Sequence, residues 1–183
     1  GWPEPPAQGG TGARSLGTEV HELLSGERAT ASPEARALAR VFEQSQLGAR
    51  AGAALRSVRE MDFLELVHGT LLRGQVDLWF EDAAGVVVVD YKTDRVLNEA
   101  RLRGYELQLR LYALALERRL GRKVSEAWLF GLREGAAHPV DLSAASMAAA
   151  LASLDRWRAA EQAGEFPLHE SADCRWCPYV AGA

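Results

Sequence analysis

The two runs Arg73-Gly-Gln-Val-Asp-Leu-Trp-Phe80 and Val86-Val-Val-Val-Asp-Tyr-Lys-Thr93 decide the fold of this chain. Both are short, rich in β-branched and aromatic residues, and flanked by polar or glycine-containing segments, which is typical of strands. The segment between them, Glu81-Asp-Ala-Ala-Gly85, is polar and ends in glycine, as a turn between paired strands does. The sequence therefore predicts a β-hairpin.

The register of this hairpin brings two carboxylates together. A turn centred between Ala83 and Ala84 places Asp77 directly opposite Asp90, and alternation puts Lys92 on the same face as Asp90. Like charges that face each other across a ladder destabilise it, so stability alone does not explain the pair. A surface salt bridge at a strand end is the plainer interpretation of Asp90 and Lys92. Two carboxylates that share a divalent cation, with an ammonium beside them, explain all three residues.

Composition limits the class of protein. The chain has 183 residues, of which 48% are apolar and 25% charged, as expected for one globular domain. Neither a membrane span nor a signal-peptide pattern is recognisable, so no membrane partner is expected. Two cysteines near the C-terminus make no disulfide framework and favour a cytoplasmic setting. The net charge of -4 argues against binding nucleic acid by bulk charge alone.

The rest of the chain alternates between helical and extended patterns. Since a strand, a long helix and another strand follow in order, the fourth strand should be parallel to the third, giving an α/β sandwich around a mixed sheet. The predicted helices are 19–25 with Thr18 as N-cap, 33 to about 48 with a possible continuation over 49–55, 98–120, and one that Ser143 caps and that runs to about 163. The other predicted strands are 58–67, 124–132 and a short one over 138–142.

Four ordered motifs carry a family resemblance. They are Gly17-Thr-Glu-Val-His21, Arg73-Gly-Gln-Val-Asp77, Val89-Asp-Tyr-Lys-Thr93 and Tyr105-Glu-Leu-Gln-Leu-Arg-Leu-Tyr112. Together they resemble the RecB-type nuclease domain of the PD-(D/E)xK superfamily, and most of all the C-terminal nuclease domain of AddA- and RecB-like helicase-nucleases.

The resemblance implies a restriction-endonuclease-like core, a mixed sheet flanked by helices. It divides the chain into a linker over 1–15, the nuclease domain over 16–165 and a tail with a C-x-x-C motif over 166–183.

The resemblance also implies roles for individual residues. The cation, Mg²⁺ or Mn²⁺, would be held by His21, Asp77, Asp90 and the backbone carbonyl of Tyr91. The catalytic set would comprise Asp77, Asp90, Lys92, Gln108 and Tyr112. Within it, the lysine orients the attacking water or stabilises charge on the phosphate, and the last two support the site and the DNA backbone. Glu60 matches a strand position that often carries Glu in these domains, with no certain role. Whether the site holds one metal ion or two stays open.

The function that the resemblance implies is a metal-dependent DNA nuclease, with exonuclease preferred over endonuclease. It would act on a single strand delivered by the helicase domains of the parent chain during recombinational repair of double-strand breaks, and a second subunit would be a further partner. The chain has no phosphate-binding loop, so the motor would lie elsewhere in the parent protein. Two alternatives stay open: a catalytically silent module that binds DNA or a partner, and a metal-dependent hydrolase of another substrate.

Two further features have open interpretations. The basic residues that follow the third strand either contact the DNA backbone or form a solvated helix face; they are Arg95, Arg101, Arg103 and Arg110. Cys174 and Cys177 supply two of the four thiolates that an iron-sulfur cluster needs, so no cluster is expected.

Overall fold

A mixed β-sheet forms the centre of the protein in the computed structural model, which describes residues 11–94 and 99–165. The sheet has the order β1-β2-β3-β4-β5, and β3 and β4 are parallel, whereas the other neighbours are antiparallel. The strands are β1 Arg56–Val67, β2 Thr70–Asp82, β3 Gly85–Lys92, β4 Val124–Gly131 and β5 Ala136–Pro139. The parallel pairing of the third and fourth strands confirms the prediction.

Helices cover both faces of this sheet. They are α1 Thr11–Ser25, α2 Pro33–Glu43, α3 Gln46–Ala53, α4 Glu99–Leu120 and α5 Ala144–Ala163. The first three pack on one face and the last two on the other, which confirms the predicted α/β fold. None of the helices in the described ranges combines the length and apolar character needed to cross a membrane.

The four consecutive valines of β3 explain how the sheet joins two cores. Val86 and Val88 belong to the core that α4 and α5 cover, whereas Val87 and Val89 belong to the core that α1, α2 and α3 cover. All four are at most 1% exposed. Burial of a valine side chain contributes about 1.5–3 kcal/mol, so this strand is strongly anchored on both sides.

The hairpin of β2 and β3 has the predicted register. Leu78 pairs with Val89 and Asp82 with Gly85, as a turn centred on Ala83 and Ala84 requires. The ladder ends at the Leu78–Val89 pair. The next two residues towards the open end, Asp77 and Asp90, therefore lie just where the two strands separate.

Several predicted boundaries were wrong, most of all at the start of α1, between α2 and α3, and in β5. Helix α1 begins at Thr11, so Thr18 is not its N-cap and residues 11–15 of the predicted linker are helical. Its core stripe is Leu16, Val20 and Leu24, whose spacing of four residues continues the helix through Thr18.

The other two errors arise from turn chemistry. Ser45 accepts a hydrogen bond from Gly48 N and starts α3, so the break between helices precedes Gly48. Strand β5 spans Ala136–Pro139 and not 138–142; it starts two residues early because Gly135, with φ of 65°, closes a tight turn directly after β4. The predicted cap Ser143 is confirmed, and Ser32 caps α2 at its predicted start.

Parts of the predicted chain organisation lie outside the described residues. These are residues 1–10 of the linker, Arg95, and the tail over 166–183 with Cys174 and Cys177.

Candidate functional site

Strand β2 changes its alternation beside Asp77. Val76 and Trp79 both pack into the core on the α4 side, although residues three apart on a regular strand face opposite ways. Leu78 packs into the opposite core. Regular alternation therefore fails between Val76 and Trp79. As a result, Asp77 need not point to the α4 side of the sheet, where alternation counted back from Trp79 would place it.

Strand β1 has a matching irregularity at Glu60. Its backbone has φ of 49°, in the left-handed region that non-glycine residues adopt at a cost of about 1–3 kcal/mol. Register is the same on both sides, since Arg59 pairs with Leu78 and Met61 with Val76. The distortion is thus confined to the position facing Asp77, and it turns the Glu60 carboxylate towards helix α1.

His21 of α1 meets both carboxylates. Its Nδ1 atom lies 3.3 Å from Glu60 Oε1 and 3.5 Å from Asp77 Oδ1. One potential ligand atom from each of the three side chains lies within 4.8 Å of the others. This separation allows them to hold one metal ion. A cavity of about 370 Å³ opens beside the group, and it is lined by Gly17, Thr18, His21, Glu22, Glu27, Glu60 and Gln75.

The second oxygen of Asp77 is held by the neighbouring strand. Tyr91 N donates a hydrogen bond of 2.7 Å to Asp77 Oδ2. This bond lies where the β2–β3 ladder has ended, so the carboxylate takes the place of a backbone carbonyl in pairing the strands. Asp77 is 8% exposed, and this bond fixes its orientation at the point where β2 and β3 separate.

Asp90 and Lys92 form the other half of the site. Lys92 Nζ lies 2.7 Å from Asp90 Oδ2, and Asp90 is only 2% exposed. The ammonium also lies 4.4 Å from the Tyr105 ring centroid and donates to Gln108 Oε1 at 3.5 Å. Gln108 in turn donates to the Tyr112 hydroxyl at 2.7 Å. A hydrogen-bonded chain thus fixes the lysine between β3 and α4.

Burial and mutual repulsion perturb the pKa values of these groups. Burial, and then the charge of Asp90, raises the pKa of Asp77 from 3.8 to about 7. Burial likewise raises the pKa of Asp90. Burial opposes protonation of His21, but its close contact with the Glu60 carboxylate and the charge of Asp77 outweigh that effect and raise its pKa. Burial also opposes the charge on Lys92, but the adjacent Asp90 raises the pKa of the lysine.

The donor set fits a divalent cation. Two buried oxygens, Glu60 Oε1 and Asp90 Oδ2, receive no hydrogen bond of good geometry within the described part of the chain, although each lies near a basic nitrogen. The carboxylates of Glu60, Asp77 and Asp90 lie close together at this site, and the Lys92 ammonium is paired with Asp90. Carboxylate oxygens with one imidazole suit Mg²⁺ and, somewhat better, Mn²⁺.

The predicted site residues converge, with one addition. Glu60, for which the sequence predicts no certain role, joins His21 and Asp77 in the three-residue group. Only the backbone conformation of Glu60 brings it there, and no residue-type pattern signals that conformation. Asp90 lies outside this group and is paired with Lys92, yet it is near enough for its charge to raise the pKa of Asp77.

The basic residues of α4 engage neighbouring carboxylates. Arg103 lies 3.4 Å from Glu99, and Arg110 lies 3.1 Å from Glu106. Arg101 pairs with Asp94. These contacts fit the helix-face interpretation as well as they fit a DNA-contacting one.

Taken together, the mixed sheet and the acidic, histidine-containing group define a candidate hydrolytic metal centre on an α/β fold. The chain belongs to the PD-(D/E)XK nuclease superfamily, whose family model matches residues 3–181.

Named relatives support this membership. The AddA subunit of the ATP-dependent helicase/nuclease from Alkaliphilus metalliredigens is 36% identical over 106 residues, which are 49% of this chain and 9% of that protein. The subunit of the same name from Desulforudis audaxviator is 37% identical over 145 residues, 70% of this chain and 12% of that protein. The chain therefore spans about a tenth of the length of these relatives.

A solved structure has the same fold. The crystal structure of a candidate exonuclease from Eubacterium rectale superposes with a TM-score of 0.59 at 13% identity, covering 96% of this chain and 76% of the other.

Proposed function

We propose that this chain is a Mg²⁺- or Mn²⁺-dependent deoxyribonuclease domain of a helicase-nuclease. The observation that carries the proposal is the convergence of His21, Glu60 and Asp77 beside the buried Asp90–Lys92 pair. Exonucleolytic cutting during double-strand break processing and recombinational repair, in the cytoplasm, completes the proposal. It is supported by the helicase/nuclease name of the relatives.

The proposed ligands are His21, Asp77, Asp90 and the backbone carbonyl of Tyr91, to which the geometry adds Glu60. A divalent cation bound there would polarise a phosphate oxygen and lower the pKa of a water molecule. Because Asp77 and Asp90 are buried, little bulk water would reach the cation from their side. Electrostatic interactions with a bound phosphate would be stronger there than in water.

Lys92 acts as a charged donor in this proposal. Because Asp90 raises its pKa, the side chain keeps its proton at neutral pH and cannot serve as a general base. An ammonium held 2.7 Å from Asp90 is positioned to donate to the attacking water or to a phosphate oxygen on which charge develops. Gln108 and Tyr112 fix its position through their own hydrogen bonds.

The proposed partners follow from the same relatives. The helicase domains of a longer parent chain would deliver a single DNA strand to the site, and a second subunit would complete the assembly. A strand supplied by a motor needs little affinity of its own, which suits a chain of net charge -4.

The decisive experiment combines calorimetric Mn²⁺ titration with degradation of labelled single-stranded DNA. Wild-type protein should bind Mn²⁺ and shorten the DNA, whereas Asp90→Asn should remain folded and lose cleavage. The exposed Asp62 on β1 provides a matched control, because Asp62→Asn removes a carboxylate of the same strand as Glu60 that lies outside the three-residue group.

The two alternatives give different results in the same assays. A silent binding module would bind DNA or metal and cleave nothing, even when the domain is fused to its motor. A hydrolase of another class would leave DNA intact and cleave RNA or a simple phosphodiester in an Asp90-dependent manner. Equal DNA cleavage by wild type and Asp90→Asn would refute the proposed site.

A further inference from the structure

Glu60 has a backbone conformation that needs a local cause. Among the described residues, positive φ at a non-glycine position occurs at Glu60 and His68 only. His68 lies in the turn between β1 and β2, where such a conformation is common. Glu60 lies within a strand and is followed by regular pairing, so neither a turn nor a register slip accounts for it.

The residue before it is anchored on the face of the sheet that α1 and α2 cover. Arg59 Nη1 donates a hydrogen bond of 3.1 Å to the Tyr91 hydroxyl. Its guanidinium also lies 5.9 Å from the centroid of the Phe42 ring, within the range of a cation–π contact. The side chain of Arg59 is thus drawn into the α2 side of the sheet, immediately next to the distorted position.

Tyr91 connects this anchor to the other members of the group. Its ring packs edge-to-face against Phe42 at 4.7 Å and against His21 at 5.7 Å between centroids. Its backbone N–H holds Asp77. One residue, 1% exposed, therefore contacts His21 by its ring, Asp77 by its backbone and Arg59 by its hydroxyl.

We propose that the hydrogen bond from Arg59 to the Tyr91 hydroxyl positions the Glu60 carboxylate for cation binding. The bond fixes Arg59 on the face of the sheet that α1 and α2 cover, where regular alternation would turn Glu60 to the opposite face; the positive φ instead keeps the Glu60 carboxylate on the same face, beside His21. Arg59 and Tyr91 are positioning residues here. The inference deepens the proposed function, because it concerns the same metal group.

The test removes only the bond. Tyr91→Phe keeps the ring and the backbone N–H, and Arg59→Met keeps an unbranched side chain of similar reach. We expect each variant to bind Mn²⁺ about tenfold more weakly by calorimetry, as loss of an outer hydrogen bond to a metal site typically does. The double variant should be no weaker than either single one, because both remove the same interaction.

A second measurement requires no metal. The three-bond coupling between the amide and α protons of Glu60, measured by NMR, should move to the value of an extended strand in Tyr91→Phe. The control is Ser153→Ala, which removes a hydroxyl of α5 that donates to the Ala149 carbonyl at 3.1 Å and should change neither readout.

The outcomes separate the inference from the proposed function. Wild-type Mn²⁺ affinity in a folded Tyr91→Phe protein, or an unchanged Glu60 coupling, overturns the inference. If wild-type protein binds no Mn²⁺, the proposed function fails, and the Glu60 coupling still decides whether the bond controls that backbone.

Discussion

Replacement of Asp77 by asparagine should make the metal-free protein more stable at alkaline pH. The carboxylate is buried and faces the charge of Asp90, which together raise its pKa from 3.8 to about 7. Each tenfold change in proton affinity is worth about 1.4 kcal/mol, so ionising Asp77 in the fold costs about 4 kcal/mol. An amide of the same shape avoids this cost and can still accept from Tyr91 N.

The raised pKa of Asp77 determines how the stability of the fold depends on pH. A raised pKa in the folded state means that stability is complete below about pH 4 and is lost as pH rises towards 7 and beyond. The stability gained by Asp77→Asn should therefore be larger at pH 8 than at pH 5, by about 2–3 kcal/mol.

Urea unfolding followed by circular dichroism, with chelator present at both pH values, measures this difference. Asp62→Asn should stay within about 0.5 kcal/mol of wild type, because surface substitutions rarely do more. Addition of Mn²⁺ should restore the stability of the wild type and not affect the Asp77→Asn protein. A variant no more stable than wild type at pH 8 would show that burial and the charge of Asp90 do not raise the pKa of Asp77 in the fold.

Three other predictions concern neighbouring features of the site. Gly74→Ala should destabilise the fold by about 1–3 kcal/mol in urea unfolding and impair cleavage, because a Cβ would lie 2.7 Å from the Phe63 ring and 3.0 Å from Tyr112. Lys92→Met should abolish DNA cleavage while Mn²⁺ binding by calorimetry persists, since it removes the charged donor and leaves Asp90 free for the cation. Mn²⁺ should raise the melting temperature more at pH 8 than at pH 5.5, because the cation competes with protons for the buried carboxylates; equal shifts at both pH values would contradict this.

Local chemistry accounts for what the sequence predicted well. The glycine-terminated turn set the hairpin register, and serine side chains marked the starts of α2 and α5 at Ser32 and Ser143. The apolar run of β3 required helices on both faces. These signals depend on a few adjacent residues, so they can be read without tertiary information.

The parts that were missed depend on contacts between distant residues. Whether Thr18 caps α1 or lies within it depends on the core that Leu16 and Val20 find on the sheet. The proposed role of Glu60 depends on a strand distortion that is matched in β2 and lies next to the contact between Arg59 and Tyr91 of β3. No neighbouring glycine or proline reveals that distortion in the sequence.

The origin of His21 on a helix has a consequence for motion. The carboxylates of the group belong to the sheet, whereas His21 belongs to α1, which packs mainly against α2. A cation shared between them would fasten this first helix to the strands by a coordinate bond. Amide hydrogen exchange in α1 should then slow in proportion to cation saturation, while exchange in β3 stays nearly constant.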